Sequence, residues 1–252
     1  MAHAIEFRDF SLSYGKTPVL EQIDLGIPSG TCIAIIGPNG SGKTSLLKSI
    51  VGLNKPDTGT IKVQGHPPTR AWRRRIQVGY VPQIKSIDKE FPISVYEVVM
   101  LGRTAHIGYF RYPGKKDRLI VEDSLRRVNM LHLADRPIGH LSGGQQQRVF
   151  IARALAQESK ILLLDEPATG LDIPTQQSIY ELLDELHGDG ITTVTTTHDL
   201  LALEFHHFDQ VLCLNRRVIA FGPPEKVLIP PILSQTFSGL PWPTRLSFSY
   251  AQ

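Results

Sequence analysis

Residues 31–52, TCIAIIGPNGSGKTSLLKSIVG, decide the fold. The run TCIAII is apolar on both faces, as a strand in the middle of a parallel sheet must be. It ends in glycine, and KTSLLKSIVG beyond the loop has helical spacing. Between strand and helix, Gly37, Pro38, Asn39, Gly40, Ser41, Gly42, Lys43 and Thr44 fit the pattern G-x-x-x-x-G-K-[ST], in the strand–loop–helix context that the pattern requires. The spacing has a physical reason. Glycines let successive backbone N–H groups turn inward around phosphate oxygens, and the helix N-terminus adds a favourable dipole. Lys43 would then reach the β- and γ-phosphates, and the Thr44 hydroxyl would ligate Mg²⁺. A Gly-rich turn with a surface lysine is the alternative, and the flanking strand and helix weigh against it.

Outward from this loop, IQVGYVP (76–82), KILLLDEP (160–167), GITTVTTTHD (190–199) and FDQVLCL (208–214) also read as strands. Helical stretches separate most of them, notably PTQQSIYELLDELHG (174–188), with Pro174 suited to a first turn. Alternating strands and helices predict an α/β fold with a mostly parallel sheet. Upstream, the segment Ile5 to Tyr14 (with a break near Asp9), IDLGI (23–27) and TIKVQG (60–65) predict a small N-terminal antiparallel layer. From about 86 to 158 strand-like runs disappear. SVYEVVMLG and KKDRLIVEDSLRRVNMLHLA look helical, with Val121, Leu125 and Val128 on one face; Val98, Val99, Met100 and Leu101 read mainly as core, with part of that segment a candidate groove for a partner. The expected organisation is one domain: a core over 1–85 and 159–222, an inserted helical subdomain over about 86–158, and an extension over about 223–252. The Pro-broken tail is expected to end loosely.

Composition narrows the classes. The 252 residues are 41% hydrophobic and 20% charged, as in a globular chain, and the net charge of +3 is too mild to demand nucleic acid. No apolar stretch reaches the roughly 18 residues of a membrane helix. Glu6, Arg8 and Asp9 stand where a signal peptide would need apolar residues, so none is expected. Cys32 and Cys213 lie in apolar runs and read as core thiols.

Two further clusters carry chemistry. ILLLDE (161–166) is a buried strand ending in two acids, at the edge where parallel sheets bind ligands. Asp165 would hold Mg²⁺, and Glu166 would polarise the water that attacks a γ-phosphate. His198 ends another strand-like run and is expected to hydrogen-bond the same phosphate. LSGGQQQR (141–148) precedes a helical run and forms a second glycine loop, hence a second candidate phosphate site. One phosphate loop has no evident need for two. A head-to-tail pair of copies would resolve this, each loop serving the other's nucleotide. Ser142 as an ordinary helix cap is equally sound, and the residues by themselves leave the choice open.

With these motifs in view, the chain resembles the ATP-binding-cassette (ABC) ATPases, motor subunits of ABC transporters, over nearly its whole length. The matching pieces are GPNGSGKT (37–44), Gln83 in YVPQ, LSGGQQQR (141–148), ILLLDEP (161–167), Gly170-Leu171-Asp172 and His198. The resemblance implies that Tyr14 stacks on adenine and that Gln83 senses Mg²⁺ and the membrane subunit. It implies that Ser45 joins the nucleotide site, and that Ser142, Gly143, Gly144 and Gln145 act on the partner copy's ATP. Catalytic roles fall to Glu166, His198, Lys43 and Gln83; Mg²⁺ falls to Thr44, Gln83 and Asp165. Asp172 belongs to the loop linking the two sites, although Thr169-Gly170 stands where many relatives have a serine-alanine pair. FPISVYEVVMLGR (91–103), HIGYFRYPGKKDR (106–118), ADRPIGHLSGGQQQR (134–148) and RRVIAFGPPEKVL (216–228) resemble ATPases of bacterial manganese and zinc importers, with iron-chelate and cobalamin importers next. Implied with this are ATP and Mg²⁺ as cofactors, a homodimer, a multi-span membrane permease and an extracytoplasmic solute-binding protein. The implied place is the cytoplasmic face of the inner membrane, held peripherally. A cytosolic ABC protein without transport and a P-loop kinase are the rival classes. The first usually carries a coiled-coil insertion or two cassettes, and the second lacks LSGGQ. His206-His207 is a poor bidentate ligand, because adjacent residues do not face one another on a helix. Arg73-Arg74-Arg75 and Lys115-Lys116 read as solvated faces, and no nucleic-acid partner is expected.

Overall fold

The strands are β1 (His3–Tyr14), β2 (Thr17–Pro28), β3 (Cys32–Ile36), β4 (Thr58–Val63), β5 (Val78–Val81), β6 (Ile161–Asp165), β7 (Thr192–Thr197), β8 (Gln210–Asn215) and β9 (Arg217–Gly222). The helices are α1 (Lys43–Ile50), α2 (Val95–Met100), α3 (Thr104–Ile107), α4 (Lys115–Arg127), α5 (Gly143–Leu155), α6 (Ile173–Gly188), α7 (Pro224–Val227) and α8 (Pro230–Thr236). This computed structural model describes residues 3–69, 77–83, 88, 90, 92–108, 111–198, 200, 203 and 207–237. The Arg73–Arg75 run, Phe91, Tyr109, Phe110, His206 and the tail from 238 onward lie outside the described residues.

Six strands form the main sheet in the order β5-β6-β7-β3-β8-β9; the first five run parallel and β9 returns antiparallel at the edge. The unbroken apolar runs have the reason expected of them, since β3 and β6 are buried throughout. The pleat divides their side chains between two cores. Cys32, Ala34, Ile36, Leu162 and Leu164 pack on one face with α5 and α6. Ile33, Ile35, Ile161 and Leu163 pack on the other with Leu46, Leu47 and Ile50 of α1 and the antiparallel layer β2-β1-β4. Cys32 and Cys213 are buried free thiols, and burial pushes them up to about 12 and about 11 respectively. They are inert packing groups.

The break near Asp9 is a register shift in β1, where Asp9 takes a φ of 46°. Between β5 and β6 the described residues form helices and no named strand. α2 starts on a capping box between Ser94 and Glu97, and α6 starts on Asp172, whose carboxylate accepts the Thr175 N–H at 2.8 Å with Pro174 in the first turn. Val98 and Val99 are buried as expected, but Leu101 is 51% exposed. The reason is helical period: Val95, Val98, Val99 and Gly102, spaced by three and four, form the buried face, and Leu101 falls to the side of it. Two further elements go beyond the sequence reading. β9 completes a hairpin with β8 through a left-handed Arg216. The front of the tail forms α7 and α8, which use Pro224 and Pro230 as first-turn residues and bury Leu233.

Candidate active site at the carboxyl edge of the sheet

Gly37 follows β3, Gln83 stands two residues past β5, Glu166 follows β6 and His198 follows β7. Parallel pairing aligns these strand ends, with Ile36 opposite Thr197 and Asp165 opposite Thr196. Residues far apart in sequence therefore meet along one edge. The phosphate-type loop closes over it, and Gly42 enters α1 at a φ of 99°, where a side chain would also collide with Leu20 and the Val19 carbonyl. The loop is braced from outside, because the Arg216 N–H donates to the Ser41 carbonyl at 2.9 Å.

Lys43 is buried, and its Nζ donates to the carbonyls of Gly37 at 2.8 Å and Pro38 at 3.1 Å. Burial holds its ammonium below the ordinary lysine range, while the charges of Glu166 and Asp165 pull it back up. The Ser41 hydroxyl is buried inside the loop with no hydrogen-bond partner among the described residues. An orphaned hydroxyl beside a buried cation suits a ligand rich in anionic oxygens. Thr44 Oγ1 donates to Asp165 Oδ1 at 3.1 Å, bringing together a hydroxyl and a carboxylate, the hard oxygen donors that Mg²⁺ takes.

Asp165 is itself held. Thr196 Oγ1 donates to its Oδ1 at 2.7 Å, and the Tyr80 hydroxyl donates to its Oδ2 at 3.3 Å. Burial first, and then the charge and hydrogen bond of Asp165, raise the Tyr80 phenol. Glu166 takes a left-handed φ of 50° and gathers three partners: His198 Nδ1 at 3.1 Å, Gln83 Nε2 at 2.9 Å and the Thr169 hydroxyl at 3.2 Å. The sequence reading aims His198 at a phosphate and Gln83 at Mg²⁺; in this arrangement both meet at Glu166. Tyr14 is half exposed, with its hydroxyl 3.3 Å from Ser45 Oγ, so an aromatic face stands beside the start of α1.

Ser142 caps α5, since its Oγ accepts the Gln145 N–H at 3.3 Å while Gln145 Oε1 accepts the Ser142 N–H at 3.0 Å. Ser142 and Gly143 are exposed, whereas Gly144 is buried against Thr175 of α6. Among the described residues no hydrogen bond joins this loop to the loop at 37–44. The contacts of Tyr80, Thr169 and Thr196 escape the sequence reading. A hint was available for Thr196, since TTVTTT (192–197) places hydroxyls in a strand buried on both faces.

A lysine-bearing glycine loop facing a strand-end acid pair defines a P-loop nucleotide-binding protein. The family model described as ABC transporter matches residues 20–169. The chain is 44% identical over 239 residues to the manganese transport system ATP-binding protein MntB of Halalkalibacterium halodurans, covering 95% of this chain and 94% of that protein. It is 44% identical over 221 residues to the zinc transport system ATP-binding protein TroB of Treponema pallidum, covering 88% and 82%. A dimeric, post-hydrolysis structure of the ATP-binding cassette MJ0796 bound to ADP and Pi matches with a TM-score of 0.73 at 29% identity, covering 87% of this chain and 98% of that one. The chain belongs to the ABC transporter ATPase family. It is an ATP hydrolase of that family, whose members dimerise and work with membrane permeases.

Proposed function

We propose that this chain is the motor subunit of an importer for a divalent metal ion, manganese or zinc, acting through a separate permease fed by an extracytoplasmic solute-binding protein. The observation that carries the reading is the alignment of Lys43, Thr44, Asp165 and Glu166 on one sheet edge, in a chain 44% identical to manganese and zinc transport ATP-binding proteins. In this reading Gly37 to Thr44 and Ser45 wrap the phosphates, and Lys43 exchanges the carbonyls of Gly37 and Pro38 for phosphate oxygens. Tyr14 stacks on adenine. Thr44, Asp165 and Gln83 would hold Mg²⁺, which when bound neutralises phosphate charge. Glu166 takes the proton of the attacking water, and His198 shifts from Glu166 to the γ-phosphate. Ser142, Gly143, Gly144 and Gln145 serve the nucleotide of a second copy; the exposure of Ser142, and the lack of any hydrogen bond among the described residues between its loop and the chain's own phosphate loop, support that assignment.

No helix among the described residues is long and apolar enough to cross a membrane, so the pore is assigned to another chain. The helical segment between β5 and β6 is taken as the subdomain that meets it. A groove of about 750 Å³, lined among others by the apolar Tyr96, Met100, Leu101 and Ile107 and the charged Glu97, Arg118, Glu122 and Asp135, offers a seat there that combines apolar and charged residues. The chain would then lie peripherally on the cytoplasmic face of the membrane. Cells lacking the chain should lose uptake of Mn²⁺ or Zn²⁺, and the wild-type gene should restore it where Glu166→Gln does not. Normal uptake of both ions, with loss of chelated-iron uptake, would overturn the choice of cargo.

A further inference from the structure

Thr196 lies on β7 directly opposite Asp165 and is fully buried. Its hydroxyl makes two bonds at the point where β6 ends. It donates to Asp165 Oδ1 at 2.7 Å, a shorter contact than the 3.1 Å from Thr44 to the same oxygen. It also accepts the Glu166 N–H at 3.0 Å, which is shared with the Thr196 carbonyl at 3.2 Å. Glu166 is the residue held at a left-handed φ of 50°, a region that side chains other than glycine avoid. One buried hydroxyl therefore links the first acid, whose other oxygen the Tyr80 hydroxyl holds, to the backbone turn that aims the second. Packing does not demand it. The neighbouring same-face residue is Val194, inside an apolar cluster, and valine at 196 would fill the same space.

We infer that Thr196 is a positioning residue for hydrolysis, holding Asp165 toward Thr44 and Glu166 in its turn; this rests on the roles proposed above for those two acids. Hydrogen bonds to a charged, buried acceptor are among the stronger ones, and their loss corresponds to about tenfold to a hundredfold in an equilibrium or rate. Without the hydroxyl, the Asp165 carboxylate keeps only its bonds from Tyr80 and Thr44, and the Glu166 N–H keeps only the Thr196 carbonyl, so both acids are held more loosely. Nucleotide contacts made by the loop at 37–44 are untouched.

The experiment compares purified wild type, Thr196→Val, Thr196→Ser and Asp165→Asn. The readouts are thermal unfolding, calorimetric ATP affinity in EDTA and in rising Mg²⁺, and steady-state kcat and KM. Thr196→Val should fold and bind ATP in EDTA as the wild type does. Its Mg²⁺-dependent gain in ATP affinity should need about tenfold more Mg²⁺, with kcat down about tenfold to a hundredfold and KM little changed. Thr196→Ser should recover most of both. Wild-type Mg²⁺ dependence and kcat in Thr196→Val, an equal loss of ATP affinity in EDTA, or a serine variant no better than valine would each overturn the inference. If Thr196→Val does not fold, Thr196→Ala against Thr196→Ser in the same titration decides the question in its place. Full Mg²⁺-dependent turnover in Asp165→Asn would instead overturn the site reading beneath it.

Discussion

Gly144 and Thr175 bring the LSGGQQQR loop and the start of α6 into direct contact, and a methyl group tests how tightly. A Cβ at Gly144 would fall well inside van der Waals distance of Thr175 Cγ2, while Thr175 Cβ and Oγ1 stay at 3.7 and 3.9 Å. The obstruction is thus a single methyl. Gly144→Ala has two ways to relieve it. Either α5 and α6 move apart, or Thr175 rotates; rotation disturbs the residue whose side chain and N–H hold the Asp172 carboxylate below the ordinary aspartate range and cap α6. Overpacking a close contact costs about 1–3 kcal/mol, and disturbing a helix cap costs about 0.5–2 kcal/mol. At about 2–4 °C per kcal/mol for a chain of this size, Gly144→Ala should lower the melting temperature by about 1–12 °C. Thr175→Ser removes the methyl and keeps the hydroxyl, so the double variant should recover most of the loss. Thermal unfolding of the four proteins forms a double-mutant cycle, with an expected coupling of about 1–2 kcal/mol. Additive effects would refute the contact. So would a Gly144→Ala protein as stable as the wild type.

Lys43→Ala should keep its fold by circular dichroism yet lose about tenfold to a hundredfold in ATP affinity or turnover, since alanine cannot make a charge-assisted contact; wild-type turnover would sink the assignment of the loop. Ser142→Arg should bind ATP as a monomer but fail to hydrolyse it, because an exposed cap residue becomes a bulky side chain where a second copy's phosphate would dock, and unimpaired hydrolysis would leave the loop as a helix cap alone. Mixing Ser142→Arg with Lys43→Ala places both lesions in one composite site, so partial recovery of turnover is the expected sign that one intact site suffices. Glu166→Gln keeps an acceptor for Gln83 and Thr169 but loses the charge facing His198; turnover should fall about 10²–10⁴-fold. The same variant should shift from monomer to dimer on size exclusion with Mg-ATP and not with ADP, and steady turnover or the absence of any ATP-dependent dimer at saturation would count against two copies completing each other's nucleotide sites.

The sequence by itself determined what is written locally or by burial pattern. The loop from Gly37 to Thr44 is a local backbone device, so eight consecutive residues with a strand before and a helix after were sufficient to read it. ILLLDE is legible in the same way, because a strand buried on both faces must be apolar until it reaches the sheet edge, where the acids begin. The antiparallel layer and the helical insertion followed from period and turn residues. Tertiary structure decided whatever depends on which strands become neighbours. Asp165 and Thr196 meet because β6 lies beside β7, and Tyr80 reaches Asp165 because β5 lies on the other side; both bonds span dozens of residues, and no local pattern encodes them. His198 and Gln83 were legible as strand-end polar groups, but their common partner Glu166 follows from strand order and a left-handed turn. Leu101 reads as core from its apolar neighbours, and the face on which α2 packs leaves it exposed. A side chain's type and spacing state what it needs buried or bonded, while the sheet's order of strands supplies the partner that meets the need.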